Sequence, residues 1–116
     1  MAEASVQLIM FYVYFLESLK NGKIYVGQTS KTPGERLKEH NLGTNKWTRN
    51  NRPLKLVYYE SYLCEEDSKL REKFYKMGFG KMIKQVIIDT LHKGNKSILM
   101  RLNVGVGAIS STGRSA

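Results

Sequence analysis

The sequence is poor in the residues that build disulfide frameworks and structural metal sites. Its 116 residues include a single cysteine, Cys64, and two histidines, His40 and His92. One cysteine cannot form an internal disulfide, so a stapled secreted fold is excluded and a reducing, cytoplasmic compartment is favoured. Because there is neither a CxxC pair nor an HExxH motif, a structural zinc site is not expected.

Long apolar runs and the glycine-rich motifs of nucleotide-binding proteins are also missing. The longest apolar run, LIMFYVYFL at residues 8–16, is well short of the roughly 18 to 20 residues that a membrane-spanning helix needs. It lacks the basic leader and the nearby small-residue cleavage site of a signal peptide. No P-loop or GxGxxG motif is present, which argues against P-loop nucleotide hydrolysis. We therefore expect a cytoplasmic protein without a membrane partner.

Acidic residues are scarce relative to basic ones. The chain has 19 Lys and Arg against 10 Asp and Glu, which gives a net charge of +9. Such an excess on a small domain attracts polyanions, most simply nucleic acid or an anionic membrane surface. A charge that serves only solubility is the alternative. The 41% hydrophobic content is enough for one modest core, so a single domain is expected.

The order of apolar patterns and turn signals predicts an α/β domain of the α+β type. Residues 1–7 are interpreted as a loose lead-in, 8–104 as the single domain and 105–116 as a flexible tail. Aromatic and β-branched segments predict three strands, and caps with helical periodicity predict three helices. The predicted strands are 8–17, 23–29 and 54–62, and the predicted helices are 33–41, 64–78 and 79–93. Residues 44–53 are predicted to be a basic loop, and 97–106 a short strand or return segment. The resulting order is β-β-α-β-α-α plus a short C-terminal segment, with a mostly antiparallel three-stranded sheet flanked by helices.

The first two strands form a predicted hairpin with two different faces. Asn21 and Gly22 favour a two-residue turn, which places Tyr14 opposite Thr29. Side chains alternate between the faces of a strand. One face is therefore rich in tyrosine and has a glycine gap, whereas the other is core. The first comprises Tyr12, Tyr14, Tyr25, Gly27 and Thr29, and the second Phe11, Val13, Phe15, Ile24 and Val26.

The first helix has clear start and stop signals. Thr32 is a suitable N-cap that forms a capping box with Glu35, and Gly43 suits the left-handed stop. Arg36 and His40 are four residues apart and share one face of this helix.

Periodicity gives the last two helices apolar stripes. In the second helix the stripe is Leu70, Phe74 and Met77, so the pattern alone predicts that Glu72 is exposed on the opposite side. In the third helix the stripe consists of Phe79, Met82, Ile83, Val86, Ile87 and Leu91.

Several polar residues are of the types that phosphodiester cleavage requires. Arg36 is suited to binding a phosphate, His40 to accepting or relaying a proton, and Glu72 to holding a divalent metal. Tyr14 and Tyr25 offer hydroxyls. Each has a structural alternative: packing for the strand tyrosines, a solvated helix face for Arg36 and His40, and simple exposure for Glu72.

These stretches resemble the GIY-YIG endonuclease family. Residues 12–14 (YVY) match the GIY strand and residues 25–27 (YVG) match the YIG strand. An arginine on the first helix, a His or Tyr four residues later and a distant glutamate follow in the family, and here they correspond to Arg36, His40 and Glu72. Tyr12 replaces the first glycine of the motif, and Gln28 stands where some members have lysine.

The resemblance implies a role for each of these residues. Glu72 would hold Mg²⁺ or Mn²⁺ and face the tyrosines, with Leu70, Phe74 and Met77 packed under the last helix instead. Arg36 would stabilise charge on the phosphate. Tyr14, with Tyr25 as second choice, would activate the attacking water, and His40 would take the proton. Asn103, in the pair Leu102-Asn103, would position a substrate or a tyrosine.

The implied function is that of a divalent-metal-dependent DNA endonuclease with one metal ion and a tyrosine-activated water. The residues expected to contact DNA are Gln28, Lys31, Lys46, Trp47, Arg49 and Arg52. A homodimer is expected if both strands are cut, with the last helix as interface or as a cap on the core. The alternatives are a catalytically silent nucleic-acid-binding module of the same fold, a structure-specific repair or recombination nuclease, and an RNA-binding or protein-interaction domain. The biological role is open among restriction, repair, homing and phage functions.

Overall fold

The computed structural model describes residues 8–94. Asn103, the predicted segment 97–106, and the predicted lead-in and tail lie outside the described residues. Within residues 8–94, no helix is both long enough and apolar enough to cross a membrane.

The described residues form a three-stranded antiparallel sheet flanked by helices, which confirms the predicted fold class. The strands are β1 (Phe11–Ser18), β2 (Ile24–Thr29) and β3 (Leu54–Tyr62), and β1 lies in the centre in the order β2-β1-β3. The helices are α1 (Pro33–Asn41), α2 (Lys46–Asn50), α3 (Glu65–Tyr75) and α4 (Gly78–His92). The short helix α2 lies in the segment predicted to be a loop, so the order is β-β-α-α-β-α-α. It forms because Asn45 is an effective N-cap whose side chain accepts a hydrogen bond from the backbone N–H of Thr48 at 3.0 Å.

The hairpin connecting β1 and β2 is longer than its sequence predicts. Tyr14 pairs with Gly27 rather than with Thr29. The chain reverses through residues 19–22, where the Ser18 hydroxyl accepts backbone N–H groups of the loop and Gly22 has a φ of 77°. The predicted two-residue turn is therefore wrong. Because the register moves by two residues, each side chain stays on its predicted face.

The two faces of the sheet carry separate apolar clusters, and the face predicted to be core carries one of them. Val13, Phe15 and Val26 pack against α3 and α4 through residues that include Tyr75 and Ile87. The opposite face carries Tyr14, Leu16 and Leu54, with Tyr25 and Leu37 packed against them. Since Leu37 belongs to α1, this second face is the one that α1 covers.

Helix α1 begins and ends as predicted. The Thr32 hydroxyl accepts from the backbone N–H of Glu35 at 3.2 Å, and a Glu35 carboxylate oxygen accepts from the backbone N–H of Thr32 at 3.1 Å. Gly43 follows the helix with a φ of 93°. These caps fix α1 along the sheet and set the positions of Arg36 and His40.

Helix α3 is rotated relative to its apolar pattern. Leu70 and Met77 are 63% and 56% exposed, whereas Ser68 and Tyr75 are buried and the side chain of Glu72 is 26% exposed. The prediction of an exposed Glu72 is wrong, and so is the packing of Leu70 and Met77 under the last helix. Of that stripe, Phe74 alone packs against the core.

A buried carboxylate on β3 accounts for this rotation. Glu60 is 5% exposed and accepts a hydrogen bond from Nε of Arg71 at 3.1 Å and another from the Tyr75 hydroxyl. A buried carboxylate left without donors is costly, so these polar contacts outweigh the apolar stripe in orienting α3. Glu72, adjacent to Arg71 in the sequence, is turned away from full exposure as a result.

Helix α4 buries only part of its predicted stripe. Ile83, Ile87 and Leu91 face the core together with Ile88, which the pattern did not include. The other three members are more than half exposed: Phe79, Met82 and Val86. The rotation is constrained at Gly80, where a Cβ atom would lie 1.7 Å from the carbonyl oxygen of Phe74.

Candidate active site

The glycine gap in the tyrosine-rich face accommodates Tyr14. Tyr14 is 1% exposed and lies against its cross-strand partner Gly27. A Cβ atom at position 27 would lie 2.3 Å from the Tyr14 hydroxyl oxygen, which is closer than non-bonded atoms can approach. Gly27 therefore makes room for the hydroxyl of Tyr14.

His40 is fully buried and bonded at both ring nitrogens. Nε2 lies 2.9 Å from the Tyr14 hydroxyl, and Nδ1 lies 2.8 Å from Oγ1 of Thr48 on α2. The structure thus brings His40 to Tyr14, the first-choice tyrosine of the sequence analysis. Thr48 was missed by the sequence analysis, and the signal that points to it is the capping residue Asn45, which begins a helix there.

Tyr25 lies in the same aromatic cluster with a different partner for its hydroxyl. Its ring centroid is 4.9 Å from that of His40 and 6.3 Å from that of Tyr14. Its hydroxyl accepts a hydrogen bond from Nδ2 of Asn45 at 3.3 Å. The structure therefore distinguishes the two tyrosines, since it is the Tyr14 hydroxyl that contacts a ring nitrogen of His40.

Burial moves the pKa values of Tyr14 and His40 in opposite directions. Burial raises the Tyr14 pKa well above its usual value, Tyr25 raises it further, and Arg36 opposes this. Burial first, and then the nearby Arg36 charge, lower the His40 pKa to about 4. At neutral pH the phenol is thus protonated and the imidazole is neutral, so that Tyr14 can donate its hydrogen bond to a lone pair of His40.

Arg36 lies one helical turn before His40 and close to Tyr14. Its Nη1 donates to a carboxylate oxygen of Glu39 at 2.6 Å, and Glu39 also pairs with Lys31. Hydrogen bonds from Lys31 and Arg36 hold the Glu39 pKa below its usual value. Arg36 is thus held near the Tyr14 hydroxyl by an acidic residue that competes with any incoming anion.

Glu72 is a half-buried carboxylate on α3. Its charge is close enough to contribute to the raised pKa of Tyr14, and its carboxylate pairs with Nζ of Lys76 at 2.8 Å. No group of three or more acidic, histidine or cysteine side chains suited to a metal occurs within residues 8–94. A single half-buried carboxylate still fits Mg²⁺, which is commonly bound by one or two carboxylates together with waters and substrate phosphates.

The residues expected to contact DNA have identifiable contacts within the fold. Lys46 is exposed on α2. Trp47 is 36% exposed, and its ring centroid lies 5.6 Å from that of Tyr25. Arg49 and Arg52 donate to the carbonyl oxygens of Gly43 and Asn41 at 3.0 and 3.3 Å. These two arginines therefore also stabilise the C-terminal end of α1.

Lys31 and Gln28, also expected to contact DNA, bond to residues close to the catalytic candidates. Lys31 pairs with Glu39, the partner of Arg36. Gln28 is half-buried and donates to the hydroxyl of Ser68, one helical turn before Glu72, at 2.9 Å. Gln28 thereby links β2 to the part of α3 that carries Glu72.

Comparison with known proteins identifies the family of this arrangement. The model of the GIY-YIG catalytic domain matches residues 10–85, which include Tyr14, Tyr25, Arg36, His40 and Glu72. The chain belongs to the GIY-YIG family. This is a nuclease family, and membership confirms the resemblance given by the sequence motifs.

A curated relative supports the same assignment. The chain is 38% identical over 68 residues to UPF0213 protein CPE1444 of Clostridium perfringens (strain 13 / Type A). The match covers 58% of this chain and 71% of that GIY-YIG relative's length. No solved structure gave a significant match.

Proposed function

We propose that the protein is a divalent-metal-dependent DNA endonuclease that hydrolyses phosphodiester bonds by a one-metal mechanism with a tyrosine-activated water. The observation that carries the proposal is the buried hydrogen bond between the Tyr14 hydroxyl and Nε2 of His40, beside Arg36 in a GIY-YIG fold. A phenol paired with a neutral imidazole is suited to proton transfer. The nearby guanidinium of Arg36 is suited to stabilising the negative charge that develops on a phosphate during attack.

The proton path begins at the attacking water. Tyr14 orients the water through its hydroxyl oxygen and takes its proton as its own phenolic proton passes to Nε2 of His40. The short distance of 2.9 Å supports this transfer. A phenol that ionised alone in this buried position would have a pKa far above neutrality, so the proposal passes its proton on to His40. Burial also lowers the His40 pKa and so opposes the imidazolium that forms, and the negative charge of the bound phosphate is the proposed compensation.

Arg36 binds the phosphate and opposes the negative charge that develops on it during attack. A guanidinium can donate two parallel hydrogen bonds to phosphate oxygens. The Glu39 carboxylate holds Arg36 in the free protein, and phosphate exchanges with it when DNA binds.

Glu72 holds the divalent ion, Mg²⁺ or Mn²⁺, in this proposal. When bound, the ion supplies positive charge against the scissile phosphate. Glu72 is suited to the role because its half-buried carboxylate lies within electrostatic range of Tyr14. Its partner Lys76 is 49% exposed and has room to move into solvent.

DNA is the proposed partner because the chain carries a net charge of +9 and a basic segment next to these residues. This basic segment runs along α2 and just beyond it, and Thr48 of α2 contacts His40. Its proposed DNA-contacting members are Lys46, Trp47, Arg49 and Arg52. We propose that they contact the backbone near the cleaved bond, with Gln28 and Lys31 at the other side of the site. Homodimerisation and a cytoplasmic location stay predictions.

A cleavage assay on several DNA forms tests the proposal. Wild type is incubated with Mg²⁺ and supercoiled plasmid, a flap and a branched junction, alongside Glu72→Ala and the control Glu66→Ala at an exposed position of the same helix. We expect cleavage of at least one substrate by wild type and by Glu66→Ala, and its loss in Glu72→Ala. Binding without cleavage by all three proteins would indicate a catalytically silent nucleic-acid-binding module instead.

A further inference from the structure

Helix α2 brings a buried hydroxyl to the side of His40 that faces away from Tyr14. Thr48 is fully buried, and its Oγ1 lies 2.8 Å from Nδ1 of His40. The same oxygen lies 3.2 Å from the carbonyl oxygen of Asn45. Tyr14, His40, Thr48 and Asn45 therefore form one continuous chain of hydrogen bonds, which ends on a backbone carbonyl.

The last member of the chain sets the direction of every bond in it. A carbonyl oxygen only accepts, so the 3.2 Å contact with Asn45 is a hydrogen bond only when the Thr48 hydroxyl donates its single proton there. In that arrangement Oγ1 accepts from Nδ1–H of His40, whereas a Thr48 proton on Nδ1 would leave the Asn45 contact without one. A neutral imidazole has one N–H group, so Nε2 carries a lone pair and accepts the proton of the Tyr14 hydroxyl.

We propose that Thr48 is a positioning residue that holds His40 in the Nδ1-protonated tautomer, which leaves Nε2 free to take the proton of Tyr14. The catalytic consequence rests on the proposed nuclease function, whereas the tautomer is a property of the fold. With valine at position 48, Nδ1–H would lose its acceptor. The other tautomer, with Nε2–H donating to the Tyr14 oxygen, would then be favoured, and it cannot accept the phenolic proton.

The position of Thr48 depends on the local structure of α2. The side-chain oxygen of Asn45 caps the backbone N–H of Thr48, and the same turn presents the Asn45 carbonyl to the Thr48 hydroxyl. Serine would keep this hydroxyl, whereas valine has almost the same shape as threonine and lacks it. Comparing Thr48→Ser with Thr48→Val therefore distinguishes the effect of losing the hydrogen bond from the effect of changing the packing.

Long-range ¹H–¹⁵N correlation spectra at pH 7 report the tautomer directly. The chain has only two histidines, and the exposed His92 is assigned with a His92→Gln variant. We expect the Nδ1–H pattern for His40 in wild type and Thr48→Ser, and a shift to Nε2–H in Thr48→Val. Nε2–H in wild type, or an unchanged pattern in folded Thr48→Val, would overturn the proposal. If Thr48→Val does not fold, the wild-type and Thr48→Ser spectra decide.

Cleavage rates connect the tautomer to catalysis. We expect Thr48→Val to lower the single-turnover rate on the order of 10- to 100-fold, up to the lower end of general acid–base effects, and Thr48→Ser to restore most of it. A full rate in Thr48→Val would contradict the positioning role. If wild type shows the Nδ1–H tautomer but cleaves no DNA, the nuclease proposal fails while the assignment of the tautomer stands.

Discussion

The hydroxyl of Tyr14 and Nε2 of His40 lie 2.9 Å apart in the part of the protein that is closed to solvent. Tyr14 comes from the central strand and His40 from the last turn of α1, so their contact depends on how α1 packs across the sheet. At neutral pH the Tyr14 hydroxyl carries its proton and the His40 imidazole is neutral. This relationship separates Tyr14 from Tyr25 and leads to distinct expectations for the two residues.

Tyr14→Phe should abolish proton transfer while keeping the ring over Gly27. We expect the single-turnover cleavage rate to fall by roughly 100-fold or more, the scale of general acid–base catalysis. Removing the hydroxyl leaves a buried ring nitrogen without a partner, which should cost about 1 to 3 kcal/mol of unfolding free energy. Tyr25→Phe is the matched control, and a larger rate loss in Tyr25→Phe would assign the proton transfer to Tyr25 instead.

The lowered pKa of His40 predicts a pH-dependent stability. Between the His40 pKa of about 4 and the ordinary value of 6.5, the unfolded chain binds a proton that the folded protein does not. Stability should therefore fall as the pH drops from about 6.5 towards 4, by roughly 3 kcal/mol over the whole window. Urea unfolding between pH 5 and 7 measures this dependence above the range in which Glu39, with its lowered pKa, titrates.

A variant of His40 provides the control for this pH dependence. His40→Gln should flatten the slope of stability against pH, because the group whose pKa burial lowers is then absent. Equal slopes in wild type and His40→Gln would show that His40 titrates normally in the folded protein.

The pairing of Arg36 with Glu39 predicts that the acidic residue limits DNA binding. Glu39→Gln removes a negative charge 2.6 Å from Nη1 of Arg36. We expect the DNA dissociation constant to fall by roughly threefold, in line with the small contribution of an ion pair at the surface. Glu66→Gln changes the net charge equally on α3 and is the control in the same filter-binding or anisotropy titration. If both variants change the dissociation constant equally, the change comes from the net charge and not from the pairing of Glu39 with Arg36.

The pairing of Lys76 with Glu72 predicts a competition between the ammonium group and the metal. In Lys76→Ala the Mg²⁺ concentration for half-maximal cleavage should fall about twofold, since an i,i+4 pair contributes only a few tenths of a kcal/mol. Lys69→Ala is a matched control because Lys69 forms the equivalent pair with Glu65 about two turns earlier on α3. No change in Mg²⁺ dependence in Lys76→Ala would argue against Glu72 as the metal ligand.

Local signals in the sequence predicted those parts of the fold that depend on local interactions. The capping box of Thr32 and Glu35 and the alternation along the hairpin lie within a few residues, and both are confirmed. The alternation survives even the wrong turn, because a two-residue shift keeps every side chain on its face. By contrast, the rotation of α3 depends on Glu60, which is 11 residues before Arg71, and periodicity within a helix cannot detect such a contact.

The site shows the same division between local and non-local information. Family motifs in the sequence named Tyr14, Arg36, His40 and Glu72, but the contact between Tyr14 and His40 joins residues 26 positions apart. Thr48 was not predicted, because its role depends on a short helix formed by one capping asparagine in a segment that otherwise has the composition of a basic loop.

Nicking of supercoiled plasmid in Mg²⁺ by wild type, Glu72→Gln and Glu66→Gln tests the nuclease proposal most directly. We predict that wild type and Glu66→Gln convert supercoiled DNA to the nicked or linear form, and that EDTA stops the reaction. Glu72→Gln should be slower by roughly 100-fold or more, since a bound metal supplies several kcal/mol of charge stabilisation to phosphate chemistry. Cleavage by Glu72→Gln at the wild-type rate, or no cleavage by folded wild type, would contradict the account.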